Sequence, residues 1–147
     1  MKSSTNVANP YLPIWEHIPD GEPRVFADPQ TGERRLYVYG SHDSRMDRGY
    51  CGRDHVAWSA PLDDLTDWRY EGELIDTSAL IGVSYMNADG QEETIAENNS
   101  RVLYAPDVIY YPDDETYYMF LFPSPENMIF VAASKSPAGP FANPRTI

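Results

Sequence analysis

Two aspartates occupy comparable places in the two halves of this sequence. Asp20 precedes the short apolar run 24–26, and Asp107 precedes the run 108–111. Carboxyl groups in such positions can serve as general acids or bases. Each also has a structural interpretation, since Asp20 stands before Gly21 in a common turn dipeptide and Asp107 could cap the turn after Pro106. The residues alone favour a turn role for Asp20, whereas the aromatic surroundings of Asp107 favour a site.

Other residues with useful chemistry are few. His42 and Asp43 end the second apolar run, where they could line a pocket or form a hydrogen-bonded turn with equal justification. His17 and His55 show no spacing to His42 that suggests a metal site, so no metal and no cofactor are expected. Cys51, the single cysteine, has no neighbouring base in sequence and is assigned no catalysis.

Short apolar runs separated by turn residues predict an all-β chain with no long helix. The 13 prolines and 9 glycines are spread along the chain, as many short strands require. Residues 10–23, rich in proline and aromatic residues, predict an extended segment. The polar stretch 76–101 predicts a long loop or insertion. The remaining expected strands lie at residues 24–26, 36–39, 55–58, 69–75, 108–111, 117–122 and 128–133.

The two halves of the sequence can be aligned. Residues 23–26 correspond to 106–109, residues 36–39 to 117–120, and residues 55–59 to 129–134. A unit of three or four antiparallel strands repeated at this length is typical of a β-propeller blade. A single β-sandwich with accidental similarity is the alternative, and the repeat by itself favours the propeller only slightly.

The charge of the chain excludes some classes of partner. A net charge of −12 without a basic stripe argues against nucleic acid and against an anionic membrane surface. A neutral sugar is not repelled, and the 11 tyrosines offer rings with a polar tip that suit carbohydrate. Residues 1–9 lack the apolar core of a signal peptide, no run is long enough to span a bilayer, and one cysteine forbids an internal disulfide. A cytoplasmic location is expected.

Three segments of the chain resemble glycoside hydrolase family 43. Residues 20–26 with 36–43 (LYVYGSHD) resemble the opening of its first blade. Residues 104–108 (YAPDV), followed by YYPDDETYYMFLFP, resemble the start of its second blade, and 129–141 (IFVAASKSPAGPF) its outer strands. The resemblance covers nearly the whole chain, and its Ala-Pro-Asp-Val element is specific.

The resemblance implies a five-bladed β-propeller, of which this chain carries about two blades. Residues 1–147 would then be the N-terminal part of a catalytic domain. Its expected divisions are blade I at about 20–75, an insertion at about 76–101 and blade II at about 102–147.

The resemblance also implies roles for individual carboxylates. In the family, a first-blade aspartate is the general base, a second-blade aspartate orients and tunes the acid, and a third-blade glutamate is the general acid. Asp20 matches the base and Asp107 the tuner. Glu22 stands where the family more often has a small residue, so Asp20 or Glu22 faces the site, with Asp20 favoured by its spacing to residues 25–26. The acid has no counterpart before Ile147, where the third blade would begin.

The implied reaction is inverting hydrolysis of arabinose- or xylose-containing glycans, as in an α-L-arabinofuranosidase, β-xylosidase or arabinanase. Inversion needs two carboxyl groups roughly 6.5–9.5 Å apart, with water between one of them and the sugar. His42 and Asp43 become candidates for the pocket lining. Trp15 and Phe122 become candidates for rings that cover the apolar face of a sugar, with plain core packing as the alternative.

Three interpretations of the whole chain follow. It is part of a glycosidase that is inactive or nearly so by itself, a non-catalytic carbohydrate-binding module, or a structural module that completes a propeller. Whether the chain alone is an enzyme stays open at this stage. Two blades cut from five would expose apolar faces, so a homo-oligomer or a partner chain supplying the missing blades is expected.

Overall fold

The computed structural model describes residues 11–43 and 50–147, and two four-stranded antiparallel sheets dominate them. The first sheet consists of β1 (Glu22–Ala27), β2 (Arg34–Ser41), β3 (Asp54–Pro61) and β4 (Arg69–Asp76). A 3₁₀ turn (Thr77–Leu80) and a small hairpin of β5 (Ser84–Met86) and β6 (Glu92–Thr94) follow. The second sheet consists of β7 (Val102–Tyr111), β8 (Thr116–Ser124), β9 (Phe130–Ser134) and β10 (Ala142–Thr146).

Each large sheet is a meander in which strands adjacent in sequence are also adjacent in space. The orders are β1-β2-β3-β4 and β7-β8-β9-β10, with every neighbouring pair antiparallel. This is the blade architecture of a propeller. The predicted all-β class and the predicted pair of blades are confirmed, and in the described ranges the one helical element is the single 3₁₀ turn.

The two sheets share one apolar core. Side chains alternate along a strand, so one face of each sheet can be apolar throughout. The Phe26 ring on β1 meets Tyr117 on β8 edge-on, with the ring centres 5.1 Å apart. Tyr39 is fully buried and donates its hydroxyl hydrogen to the carbonyl oxygen of Pro137 at 2.7 Å. Burying a large apolar side chain contributes about 1.5–3 kcal/mol, so this core dominates the stability of the pair.

The segment between the sheets contributes to that same core. Leu80 in the 3₁₀ turn and Ile95 after β6 are 0% and 3% exposed. Both lie in the buried cluster that contains Leu74 of β4 and Phe130 of β9. The predicted polar insertion therefore has two apolar anchors, and it packs into the space between the outer strands of the two sheets.

Residues 11–19, here called the lead-in, run along the face of the first sheet that is turned away from the core. Tyr11 packs on Trp68 with the ring centres 5.1 Å apart, and Trp15 packs on Trp58 at 6.1 Å. The Glu16 carboxylate accepts the indole hydrogen of Trp58 at 2.8 Å. The lead-in thus covers the part of this face around Trp58, which is 6% exposed.

The outer face of the second sheet is more open. It is formed by alternate residues of β7 and β8, and the strand register places Tyr104 opposite Phe122 and Ile109 opposite Tyr118. Tyr104 and Ile109 are 37% and 40% exposed. An apolar sheet face of this kind is a candidate for contact with another sheet.

Two ion pairs that lie outside the shared apolar core fix the ends of loops. Asp28, 1% exposed at the end of β1, accepts a hydrogen bond from Arg69 Nη2. Arg101 and Glu126 are almost fully buried and form a forked pair with distances of 2.7 and 3.1 Å. That second pair joins the residue before β7 to the loop after β8.

His55 on β3 is fully buried. Burial lowers the pKa of its imidazole to about 4, and a backbone contact of Gly40 opposes that effect only in part. The neutral ring is therefore the form that fits this fold.

We expect His55 to make the fold sensitive to mild acid. The pKa of the imidazole is about 6.5 in the unfolded chain and about 4 in the folded chain. Between these two pH values the unfolded state therefore binds more protons than the folded state. The free energy of unfolding should fall as the pH drops through this window, by at most about 3 kcal/mol. Urea unfolding at several pH values should show a flatter dependence in His55→Leu. An unchanged dependence in that variant would contradict this assignment.

Candidate functional site

The edge strands β1 and β7 contact each other and are here called the innermost strands of the two sheets. Asp107 lies at an irregularity in β7. The pairing of β7 with β8 shifts register between Tyr104 and Asp107, which is a β-bulge. Pro106 falls within it, where its missing N–H costs no ladder hydrogen bond. Bulges re-aim side chains and are common beside active sites. The Asp107 side chain is 38% exposed, and its Oδ1 accepts the Val108 N–H at 2.7 Å.

Arg24 on β1 reaches across to this carboxylate. Its Nε donates to Asp107 Oδ1 at 3.0 Å and its Nη2 donates to Oδ2 at 2.8 Å, a two-pronged ion pair. The same Nε lies 3.3 Å from the carbonyl oxygen of Val108, and Nη1 lies 3.0 Å from Glu22 Oε1. The hydrogen bond to Asp107 is the largest effect on the pKa of Arg24, which is raised. One guanidinium therefore joins the innermost strands of both sheets.

Asp20 lies in the turn just before β1. It is exposed, and its φ of 56° is in the left-handed region that aspartate tolerates better than most residues. Burial is the largest cause of the raised pKa of the Cys51 thiol, and the charges of Asp43 and Asp20 add to it. Asp43 accepts the Cys51 N–H and β1 begins beside the end of β2, so Asp20, Asp43 and Cys51 all lie toward the starting end of β1.

The innermost strands run in the same direction. Arg24 meets Asp107, and two residues further along β1 Phe26 meets Tyr117, which itself packs on Tyr110 of β7 at 4.8 Å. Asp20 precedes Arg24 in the chain and therefore lies on the side of the Arg24–Asp107 contact that is away from Phe26.

The structure brings Glu22 into the Arg24 contact. Glu22, Arg24 and Phe26 alternate along β1 and share the half-buried face, whereas Pro23 and Val25 are exposed. Glu22 is thus linked to Asp107 through one guanidinium. Asp20 lies outside the strand, where this alternation does not apply.

His42 has a carboxylate at each ring nitrogen. Nδ1 lies 2.8 Å from Asp54 Oδ2, and Nε2 lies 3.4 Å from Glu16 Oε1, whose side chain is 2% exposed. The neighbouring Asp43 accepts the backbone N–H of Cys51 at 2.8 Å. His42 therefore connects the lead-in to the first sheet, and Asp43 fixes the strand end.

Asp43 also lines a pocket of about 460 Å³ together with the lead-in. The two aromatic candidates lie elsewhere. Trp15 is 62% exposed on the outer face of the first sheet, and Phe122 is half-buried on the outer face of the second, 6.1 Å from Tyr104.

Sequence reasoning missed Arg24, Glu16 and Asp54. A usable signal existed for Arg24, because its two-residue spacing from Glu22 places both on one face of a strand. In the ranges 11–43 and 50–147, no three His, Cys, Asp or Glu side chains are grouped so as to hold a metal ion. Within the same ranges, no helix has the length and hydropathy of a membrane span.

Gly52 lies in the loop before β3, where it packs against the backbone of His42 and bonds to β7. Its carbonyl oxygen accepts the Leu103 N–H at 3.0 Å, which joins the loop to β7. A Cβ at this position would stand 1.8 Å from the carbonyl oxygen of His42.

Gly52→Ala should destabilise the chain strongly, because the collision is with backbone and overpacking typically costs about 1–3 kcal/mol or more. Gly32→Ala is the matched control. Gly32 has a φ of 72° with nothing within 4 Å of the added atom, so it tests backbone strain without collision. Thermal unfolding should place Gly52→Ala below Gly32→Ala, and equal midpoints would refute the contact.

Comparison with known proteins finds a sequence relative of high similarity. A "Xylosidase/arabinosidase" of Thermoclostridium stercorarium is 41% identical over 133 residues, which is 90% of this chain and 24% of that protein. The chain therefore spans about a quarter of this curated relative. No family model matches the chain.

Solved structures share the fold at lower identity. A GH43_1 enzyme from Xanthomonas citri complexed with xylose matches 90% of this chain and 33% of its own, with a TM-score of 0.63 and 18% identity. The RS223 β-xylosidase matches 88% of this chain and 36% of its own, with a TM-score of 0.58 and 22% identity. An exo-β-1,3-galactanase from Clostridium thermocellum matches 88% and 24%, with a TM-score of 0.59 and 20% identity.

Proposed function

We propose that the chain is part of a family 43 glycoside hydrolase and forms part of the active site of a glycosidase acting on arabinose- or xylose-containing glycans, which its similarity to a xylosidase/arabinosidase and to GH43 structures supports. The observation that carries this proposal is the Arg24–Asp107 ion pair. It joins the innermost strands of two neighbouring blades.

The division of the chain is part of the proposal. Blade I at about 20–75 is supported by the sheet from Glu22 to Asp76, and blade II at about 102–147 by the sheet from Val102 to Thr146. The insertion at about 76–101 contains the 3₁₀ turn and the small hairpin. A cytoplasmic location stays a prediction from the sequence.

In the proposed mechanism Asp20 is the general base. An exposed carboxylate beside a turn can accept a proton from a water molecule that attacks the sugar from the opposite face. Asp107 holds and tunes the proton donor, a glutamate that a further blade would contribute. The positive charge of Arg24 offsets part of the repulsion that Asp107 and Glu22 would exert on that donor, so we assign Asp107 more to orientation than to raising a pKa.

Four further residues are candidates for contact with the sugar or for support of the site. Asp43 lines the pocket at the lead-in, and the rings of Trp15 and Phe122 offer surface for stacking. His42 acts in this proposal through its neighbours, since both ring nitrogens face carboxylates. The choice among arabinofuranosidase, xylosidase and arabinanase activity would depend on blades beyond these two.

We expect the chain alone to hydrolyse aryl β-xylosides and aryl arabinofuranosides at background rates. General acid–base groups contribute about 10²–10⁴-fold each, and the matched motifs provide no acid. Release of nitrophenol is the measurement. Turnover like that of an ordinary glycosidase, abolished by Asp20→Ala, would show that another residue of this chain donates the proton.

Sugar binding tests the site itself. Millimolar xylotriose should shift the amide resonances of Gly21 and Val108, which adjoin the two carboxylates. Asp20→Asn and Asp107→Asn should weaken the response, and Asp89→Asn, in the exposed turn of the small hairpin, should not. Arabino-oligosaccharides and β-1,3-galactobiose serve as competitors for specificity. Responses identical in all three variants would exclude these aspartates from the site.

The alternative function is a non-catalytic carbohydrate-binding or propeller-completing module. It is favoured by the unequal outer faces of the sheets, since the lead-in covers part of the first and the second exposes Tyr104 and Ile109. Such a module would act with a second copy or with a chain that supplies the missing blades. Covering the open face would contribute roughly 25 cal/mol for each Å² of apolar surface.

We expect the chain to self-associate through the outer face of the second sheet. Ile109→Glu should produce a monomer, because it places a charge in that face, which is 40% exposed at this residue. Ile14→Glu is the control, at a lead-in residue that is 78% exposed. Light scattering after size exclusion at micromolar concentrations is the measurement. A monomeric wild-type chain with a cooperative melt would contradict the expectation.

A further inference from the structure

The hydrogen-bonding capacity of Asp107 is nearly filled within the protein. Oδ1 accepts from Arg24 Nε and from the Val108 N–H, and Oδ2 accepts from Arg24 Nη2. An ionised carboxylate has about four lone-pair positions, two on each oxygen. One acceptor position therefore remains, and it is on Oδ2.

The donors of Arg24 are also directed by fixed partners. Nε is shared between Asp107 and the Val108 carbonyl oxygen, Nη2 faces Asp107, and Nη1 faces Glu22. A planar guanidinium can satisfy these directions together, whereas a lysine ammonium on a flexible stem would act as a point charge. Glu22 thus binds Nη1 of the guanidinium, while Nε and Nη2 bind Asp107.

Exposure limits what this contact contributes to stability. The side chains of Arg24, Asp107 and Glu22 are 35%, 38% and 43% exposed. Ion pairs in such surroundings are screened by water and contribute little to the free energy of folding. Their geometric effect is different, because a two-pronged pair fixes the plane of the carboxylate.

We propose that Arg24 is a positioning residue, which fixes the carboxylate of Asp107 so that Oδ2 offers one acceptor to a hydroxyl group of a bound glycan. This inference rests on the proposed glycosidase site and adds to it a residue and an atom. Glu22 holds Arg24 in place and does not itself contact the glycan.

The test uses the backbone amide of Val108 as a reporter, since its hydrogen is donated to Asp107 Oδ1. Two-dimensional ¹H–¹⁵N spectra of the wild type and Asp107→Ala define the two ends of a chemical-shift scale. Arg24→Gln should move the Val108 resonance at least halfway toward the Asp107→Ala position. Arg24→Lys should move it less, because one charge–charge contact is retained.

Two controls separate positioning from general perturbation. Arg34→Gln removes an exposed arginine of β2 and should leave Val108 at the wild-type position. Glu22→Gln should shift Val108 less than Arg24→Gln does. If Arg24→Gln fails to give a dispersed spectrum, Arg24→Lys supplies the reading. An unmoved Val108 resonance in the folded Arg24 variants overturns the proposal, as does an equal shift in Arg34→Gln.

A sugar titration separates this inference from the function on which it rests. With xylotriose, Arg24→Gln should raise the dissociation constant on the order of 10-fold, the effect of losing one oriented hydrogen bond to a charged group. If the Val108 resonance shifts in the Arg24 variants but the wild-type chain binds no glycan, then Arg24 positions Asp107 and the proposed glycan function is wrong. If Arg24→Gln binds glycan as tightly as the wild type does, then the positioning role of Arg24 is wrong, whereas the proposed glycan function is retained.

Discussion

The fold depends on the packing of two antiparallel sheets face to face, since neither sheet can bury its apolar face alone. Phe26 and Tyr117 meet across this contact, and Leu80 and Ile95 fill its outer side. The innermost strands are thereby held side by side and run in the same direction. A single ion pair between them can then place a carboxylate reproducibly, because the strands that carry it are already fixed.

Stability and positioning come from different parts of this arrangement. Apolar core residues such as Phe130 are fully buried, and each contributes about 1.5–3 kcal/mol. Arg24 and Asp107 are more than a third exposed, so their attraction contributes about 0.2–1 kcal/mol after screening. The ion pair is therefore a weak stabiliser and a strong geometric constraint. That combination suits a site that must keep an acceptor available to a ligand.

The sequence predicted the elements whose side chains alternate, and it failed where the determining contact is distant. The runs at 36–39 and 117–122 fall within β2 and β8. The last strand, β10, was missed because its sequence ANPRT is polar and contains a proline. The Arg24–Asp107 contact joins residues 83 positions apart, and no local pattern records such a pair. The buried anchors Leu80 and Ile95 were likewise hidden in a stretch whose average composition is polar.

The outer face of the first sheet is partly covered by the lead-in, whereas the outer face of the second sheet is exposed. Along the first sheet the lead-in supplies rings to Trp58 and Trp68 and a buried carboxylate, Glu16, to the Trp58 indole. His42 adds a link from the same carboxylate to Asp54. These contacts need only nine residues, which turn at Pro13–Glu16 instead of running extended as predicted, because a sheet face with a few large rings can be covered by rings of equal size. The outer face of the second sheet spans β7 and β8 with aromatic residues opposite one another in register. A surface of that shape matches another sheet better than it matches a single strand of chain, which is how propeller blades pack in series.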